Sequence, residues 1–200
     1  MPTTTRAAAR STAAPRRLTL EEFLALPDTE PASEYACGEV MQKPMPTNAH
    51  GILQPYIWLL IYQYLARTKL GRVRTEWRCV FGPARRKRAF VPDVVYVSYE
   101  RMPPGDAREQ AYVETAPDLV VEVLSPGESA ERFARKLRFY LLHGVRLVWV
   151  VDAVAETVTV YTPGAADERI LRPGDTLDGG DVLPGFTAPV AEIMAQLQES

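Results

Sequence analysis

Cysteine is nearly absent from this chain: there are two among 200 residues, Cys37 and Cys79. They lie far apart and match no metal-binding spacing, so neither a disulfide framework nor a zinc site is expected. Either suits the role of a small buried hydrophobe. Nothing calls for an oxidising compartment, and the cytoplasm is the expected location. Long apolar runs are also missing, since none reaches the ~20 residues that a membrane span needs. Charge of one sign is not in excess. Lys and Arg number 23 against 25 Asp and Glu, for a formal net charge of −2. The whole molecule therefore exerts no strong pull on a polyanion, although the net value says nothing about local patches. There is no internal repeat, and no zinc-finger or helix-turn-helix signature.

What is present suits one domain of ordinary size: the 46% hydrophobic content is enough to fill a core. Residues 1–17 differ from the rest, being rich in Thr, Ala and Arg with no acidic residue. They are expected to form a disordered tail, leaving 18–200 as a single domain.

The apolar pattern then sets the elements. Thr19 caps a short helix, LEEFLAL, that stops before Pro27. SEYACGEVMQK reads as two short strands turning at Gly38. From His50 to Lys69, Ile52, Leu53, Tyr56, Ile57, Leu60, Ile61, Tyr64 and Leu65 recur at helical spacing, and Gly71 suits the end of that helix. Strands are expected over RVRTEWRCVF, FVPDVVYVS, PDLVVEVLS, VRLVWVVD and TVTVYT. Between the third and fourth of these lies an amphipathic helix, SAERFARKLRFYLLH, stopped by Gly144. Two apolar strands flanking a helix form a βαβ unit with parallel strands. The earlier connections are hairpins or loops and favour antiparallel pairing. The fold class is α/β: a mixed β-sheet flanked by helices, with an N-terminal β-hairpin.

Two acids break this pattern. Side chains alternate along a strand, so Glu122 shares a face with Asp118, Val120 and Leu124, while Asp93 shares one with Val91, Val95 and Val97. A buried carboxylate is costly unless it is paired, protonated or bound to metal. Two acids on adjacent strands repel each other, and a divalent cation such as Mg²⁺ removes that conflict. The alternative for Glu122 is a buried ion pair with Arg or Lys, and for Asp93 an ordinary strand-start acid after Pro92. Lys136 lies three residues after Phe133 and four before Tyr140, so it borders the apolar face of its helix. From there it either reaches the carboxylates or runs out to solvent. His143, beside the helix-ending glycine, is assigned no catalytic role. The run Arg85, Arg86, Lys87 and Arg88 is either a DNA-backbone contact or a charged hairpin tip.

Taken together, SEYACGEV, His50 opening a long helix, VPDVVYV, APDLVVEVLSPGES, the Lys136 helix followed by GVRLVWVVD, and VLPGF carry a family likeness. The chain resembles the Uma2 family of restriction-endonuclease-like proteins within the PD-(D/E)XK nuclease superfamily, from about Leu18 to the end. The resemblance implies a restriction-endonuclease-like core and a catalytic set of Asp93, Glu122 and Lys136. It adds Glu39 as a further acid and metal ligand, whose alternative is an exposed turn residue. The superfamily lysine two residues after the second acid is Leu124 here, and Lys136 is the substitute. His50 also matches a family position, as a phosphate contact or a partner orienting Glu39, or else as a structural histidine at a helix start.

The implied activity is a Mg²⁺- or Mn²⁺-dependent endonuclease hydrolysing DNA phosphodiester bonds. The metal ligands would be Asp93, Glu122 and Glu39; Arg85, Arg86, Lys87, Arg88 and His50 would contact the nucleic acid. A homodimer is expected because cutting two strands needs two sites. The rival reading is a catalytically inactive nuclease-fold module that binds nucleic acid or a protein partner.

Overall fold

The computed structural model describes residues 17–105 and 110–198. The expected disordered tail thus lies outside the described residues except for Arg17, which is exposed. Helix α1 (Leu20–Leu24) begins as expected: Thr19 accepts from the Glu22 N–H and the Glu22 side chain accepts from the Thr19 N–H. This reciprocal pair satisfies two otherwise orphan donors. Strands β1 (Ser33–Ala36) and β2 (Glu39–Gln42) form an antiparallel hairpin. Cys37 and Gly38 turn it with positive φ values of 54° and 90°, a conformation glycine adopts without strain. Helix α2 (Asn48–Thr68) is capped by Thr47 and buries Leu53, Ile57, Ile61, Tyr64 and Leu65. Lys69, not Gly71, takes the left-handed position at its end. Gly71 instead opens the next strand, where any Cβ would collide with the Val97 carbonyl oxygen.

Two segments expected as continuous strands are each broken. RVRTEWRCVF divides into β3 (Gly71–Thr75) and β4 (Cys79–Phe81), bent at Glu76 with φ 47°. FVPDVVYVS contributes the end of β5 (Arg88–Phe90) and the whole of β6 (Val94–Ser98). Pro92 lies between them, where its missing N–H costs no ladder bond, as it would inside a continuous strand. The breaks send the chain from one sheet to another and back. A four-stranded sheet has the order β2-β1-β5-β4. The larger sheet adds β7 (Leu119–Val123), β8 (Leu147–Asp152), β9 (Thr157–Tyr161) and β10 (Arg169–Leu171), in the order β10-β9-β8-β7-β6-β3. Its β7 and β8 are parallel, joined through helix α3 (Ala130–Leu142), and its other pairs are antiparallel. A small pair, β11 (Thr176–Asp178) and β12 (Thr187–Pro189), leads into α4 (Val190–Ala195).

Strand alternation places Val94, Tyr96, Leu119, Val121, Val123 and Trp149 on one face of the large sheet, in a core shared with α2 and α4. Val95, Val97, Val120, Val148 and Val150 face the other way and pack with Phe139 and Tyr140 of α3 and with Phe81 and Phe90 of the small sheet. Glu122 points to this second face, toward α3 and the hairpin sheet. Asp118, the other acid of its strand segment, lies just before β7 and is fully buried. It is neutralised by Arg101 (3.1 Å) and Arg146 (3.3 Å). No described helix is long and apolar enough to cross a membrane.

Candidate active site

Asp93 stands where the chain crosses from the small sheet to the large one, and it is only 1% exposed. Its Oδ1 meets Lys43 Nζ at 2.5 Å and His50 Nε2 at 3.2 Å. Its Oδ2 accepts the Val123 N–H at 2.7 Å. The Asp93 carbonyl accepts from the Gln54 side chain and the Glu76 N–H. Burial alone would raise the carboxyl, but the His50 hydrogen bond and the Lys43 charge outweigh it and hold Asp93 at about 2. His50 lies in the first turn of α2, with Nδ1 3.3 Å from Ser125 Oγ. That contact ties the helix start to the loop that follows β7.

Glu122, one ladder position short of the end of β7, is 5% exposed. Tyr140 donates its hydroxyl to Oε1 at 2.8 Å, and the Lys136 ammonium stands 2.9 Å from the same atom. Both come from one face of α3, four residues apart, the spacing that aligns side chains on a helix. Lys136 is 6% exposed and also meets Glu34 Oε1 at 2.8 Å. Glu34, on β1, accepts the Val91 N–H at 3.1 Å and faces Arg132 at 3.6 Å. Burial pushes Glu122 up to about 7, with Asp93 adding to the rise and Lys136 opposing it. Burial would lower Lys136, but Glu122 and Glu34 together push it above its ordinary value, so the ammonium stays charged.

Asp93, Glu122, Glu34, Lys43, His50 and Lys136 line a pocket of about 20 Å³ that also touches Ser125 and Glu128, room for about one water-sized particle. The repulsion between the two acids is relieved here by Lys43 beside Asp93 and by Lys136 beside Glu122, the latter being the buried-ion-pair alternative for Glu122. Among the described residues no group of three or more His, Cys, Asp or Glu is arranged to hold a metal ion, so an all-protein cage does not fit. Two hard carboxylates facing a water-sized space are donors of the kind a small hard cation takes, although Lys43, His50 and the Val123 N–H hold both Asp93 oxygens and Lys136 and Tyr140 hold Glu122 Oε1. Such an ion commonly takes one or two carboxylates and completes its shell with water and substrate oxygen.

The structure brings Asp93, Glu122, Lys136 and His50 together. It does not bring Glu39. That side chain, on edge strand β2, is 65% exposed and lies 3.8 Å from Arg17, so the exposed-residue alternative describes it. Glu34, on the inner strand β1, lines the pocket and meets Lys136. His50 accordingly faces Asp93, not Glu39. Arg85, Arg86 and Lys87 lie in the connection from β4 to β5, outside the pocket, and Arg88 starts β5 with its guanidinium 4.3 Å from the Phe139 ring centroid. Leu124 is partly buried against the α3-side core, and Lys136 approaches Glu122 from the helix instead. Sequence reasoning missed Glu34, Lys43 and Tyr140. Tyr140 was legible as a polar-tipped residue on the buried face of α3. Glu34 had no local mark setting it above Glu39, and Lys43 lies in a connecting segment with no periodicity.

Residues 20–191 match the model of the family described as "Uma2: Putative restriction endonuclease". Among solved structures, one from Anabaena variabilis is titled a "putative nuclease belonging to DUF820". It is 30% identical, covers 90% of this chain and 99% of its own, and has a TM-score of 0.81. No curated protein matches the chain.

Proposed function

The chain belongs to the Uma2 family, and from that membership and the geometry of its acid pocket we propose that it is a divalent-metal-dependent endonuclease hydrolysing phosphodiester bonds in DNA. The observation that carries the reading is the Lys136 ammonium, 2.9 Å from Glu122 in a pocket that also contains Asp93. Asp93 and Glu122 would hold Mg²⁺ or Mn²⁺, which when bound lowers the pKa of a water and withdraws charge from a phosphate. The protein's own groups do the rest. Lys136 keeps its proton and offers a fixed positive charge where negative charge develops on the phosphate. Tyr140 orients Glu122, and His50 together with the Val123 N–H fixes the Asp93 carboxylate. Arg85, Arg86, Lys87 and Arg88 supply sequence-independent backbone contacts.

Supercoiled plasmid tests this. Nicking or cutting that requires Mg²⁺ or Mn²⁺, stops with EDTA and is lost in Glu122→Gln is expected. Glu39→Gln should still cut in a metal-dependent way, because its side chain does not line the pocket of Asp93 and Glu122. One observation favours the inactive-module reading: both oxygens of Asp93 already have partners. DNA left intact across both metals would decide for that module.

A further inference from the structure

The acid pocket is not isolated. Three depressions adjoin in series and share walls. The widest, about 990 Å³, runs between α1, the β1–β2 turn and the β4–β5 connection, where Arg17, Arg85, Arg86, Lys87 and Arg88 line it against Glu21 and Glu114. The second, about 230 Å³, lies between the hairpin and α3, with Arg88, Arg132, Arg135 and Lys136 against Glu34 and Glu39. The third is the pocket of Asp93 and Glu122. Arg88 belongs to the first and second, while Arg132 and Lys136 belong to the second and third. Cations thus outnumber acids along the first two on a chain whose net charge is −2. That asymmetry is local and ends at the acids.

The guanidiniums of the second depression are not fully engaged by the ion pairs described around them. Arg88 has a buried Nε without a hydrogen-bond partner and faces the Phe139 ring. Arg135 pairs with Glu131 one turn away on the same exposed helix face, an interaction of small worth that a phosphate can displace. Arg132 reaches Glu34 only at 3.6 Å and the Gln42 carbonyl at 3.3 Å. Arginine presents a planar fork of donors suited to phosphate oxygens.

We infer that Arg88, Arg132 and Arg135 form a phosphate-binding track that leads a nucleic-acid strand from the β4–β5 connection, between the hairpin and α3, to the pocket of Asp93 and Glu122. This rests on the nuclease reading and adds the path of its substrate. Each phosphate neutralised on the track releases counterions, so log K against log salt should steepen by roughly 0.7 to 0.9 per contact.

The test is fluorescence anisotropy of labelled single-stranded and duplex oligonucleotides in EDTA over a salt series. It compares the intact chain, Arg88→Gln, Arg135→Gln and the control Arg169→Gln, which lies on β10 at the edge of the large sheet and lines none of the three depressions. Arg135 is exposed, so its variant folds even if Arg88→Gln is weakened. The expected result is a slope reduced by about one contact in each track variant, for single-stranded DNA, duplex or both, and unchanged in the control. Binding by the intact chain with unaltered slopes in both track variants overturns the track alone and leaves the nuclease reading standing. No binding to either oligonucleotide also overturns the track, and the plasmid assay then judges the nuclease reading separately.

Discussion

Lys136→Met keeps a long apolar stem and deletes the charge between Glu34 and Glu122. Both contacts are short, 2.8 and 2.9 Å, and all three side chains are buried. Removing one partner of a buried pair costs about 3–5 kcal/mol, because the remaining charge is left uncompensated. That is a large share of the roughly 5–15 kcal/mol that holds a domain folded. A lysine merely flanking the helix would cost little, so the burial of Lys136 is what sets the size of the effect. The loss has a pH signature. Glu122 rises from 4.5 to about 7 on folding, so the native state keeps a proton that the unfolded state releases. The stability linked to that proton is fully present below about 4.5, is lost as pH rises through about 7, and amounts to roughly 3 kcal/mol. Lys136 opposes the rise, so Lys136→Met should carry the window to higher pH and be weakest in alkali. Urea unfolding followed by tryptophan fluorescence at several pH values measures this. Lys136→Met with Glu122→Gln should regain much of the loss, since the two side chains are directly coupled. A Lys136→Met penalty below about 1 kcal/mol in alkali, independent of pH, would refute the claim that this ammonium neutralises the acids. In the plasmid assay the same variant should lose roughly 10²–10⁴ in rate.

Lys43→Met should bind Mn²⁺ about 10-fold more tightly by calorimetry, because a cation at 2.5 Å from Asp93 competes for the same oxygen; affinity equal to that of the unaltered chain would refute the competition. Asp93 falls from 3.8 to about 2 on folding, so the stability it contributes is present above about 3.8 and lost as pH falls through 2, on the order of 2 kcal/mol. Asp93→Asn should flatten that acid limb in urea titrations, and an unchanged limb would place the acid sensitivity elsewhere.

Much of the architecture was legible because it rests on local geometry. A strand alternates its faces and a helix repeats every 3.6 residues whatever lies around them. That is enough to put Glu122 on one strand face with Val120 and Leu124, to place Lys136 beside the apolar stripe of α3, and to call β7, α3 and β8 a parallel unit. The family likeness rested on the same segments, and the match over residues 20–191 agrees with it.

Tertiary pairing decided the rest. Glu34 and Glu39 sit in one hairpin and look alike in sequence. Strand β1 lies between β2 and β5, while β2 is an edge, so one acid is buried against Lys136 and the other meets solvent. The breaks at Glu76 and Pro92 matter because the two halves of each segment join different sheets, and no local pattern states which sheet a strand will join. Lys43 reaches Asp93 across fifty positions of chain, and Asp118 is neutralised by Arg101 and Arg146 on separate segments. The sequence by itself thus determined that Glu122 would share an apolar strand face with Val120 and Leu124, because alternation is a property of the backbone. Only the folded chain determined which cations answer the buried acids, because a charge partner is set by distance in space and not by distance along the chain.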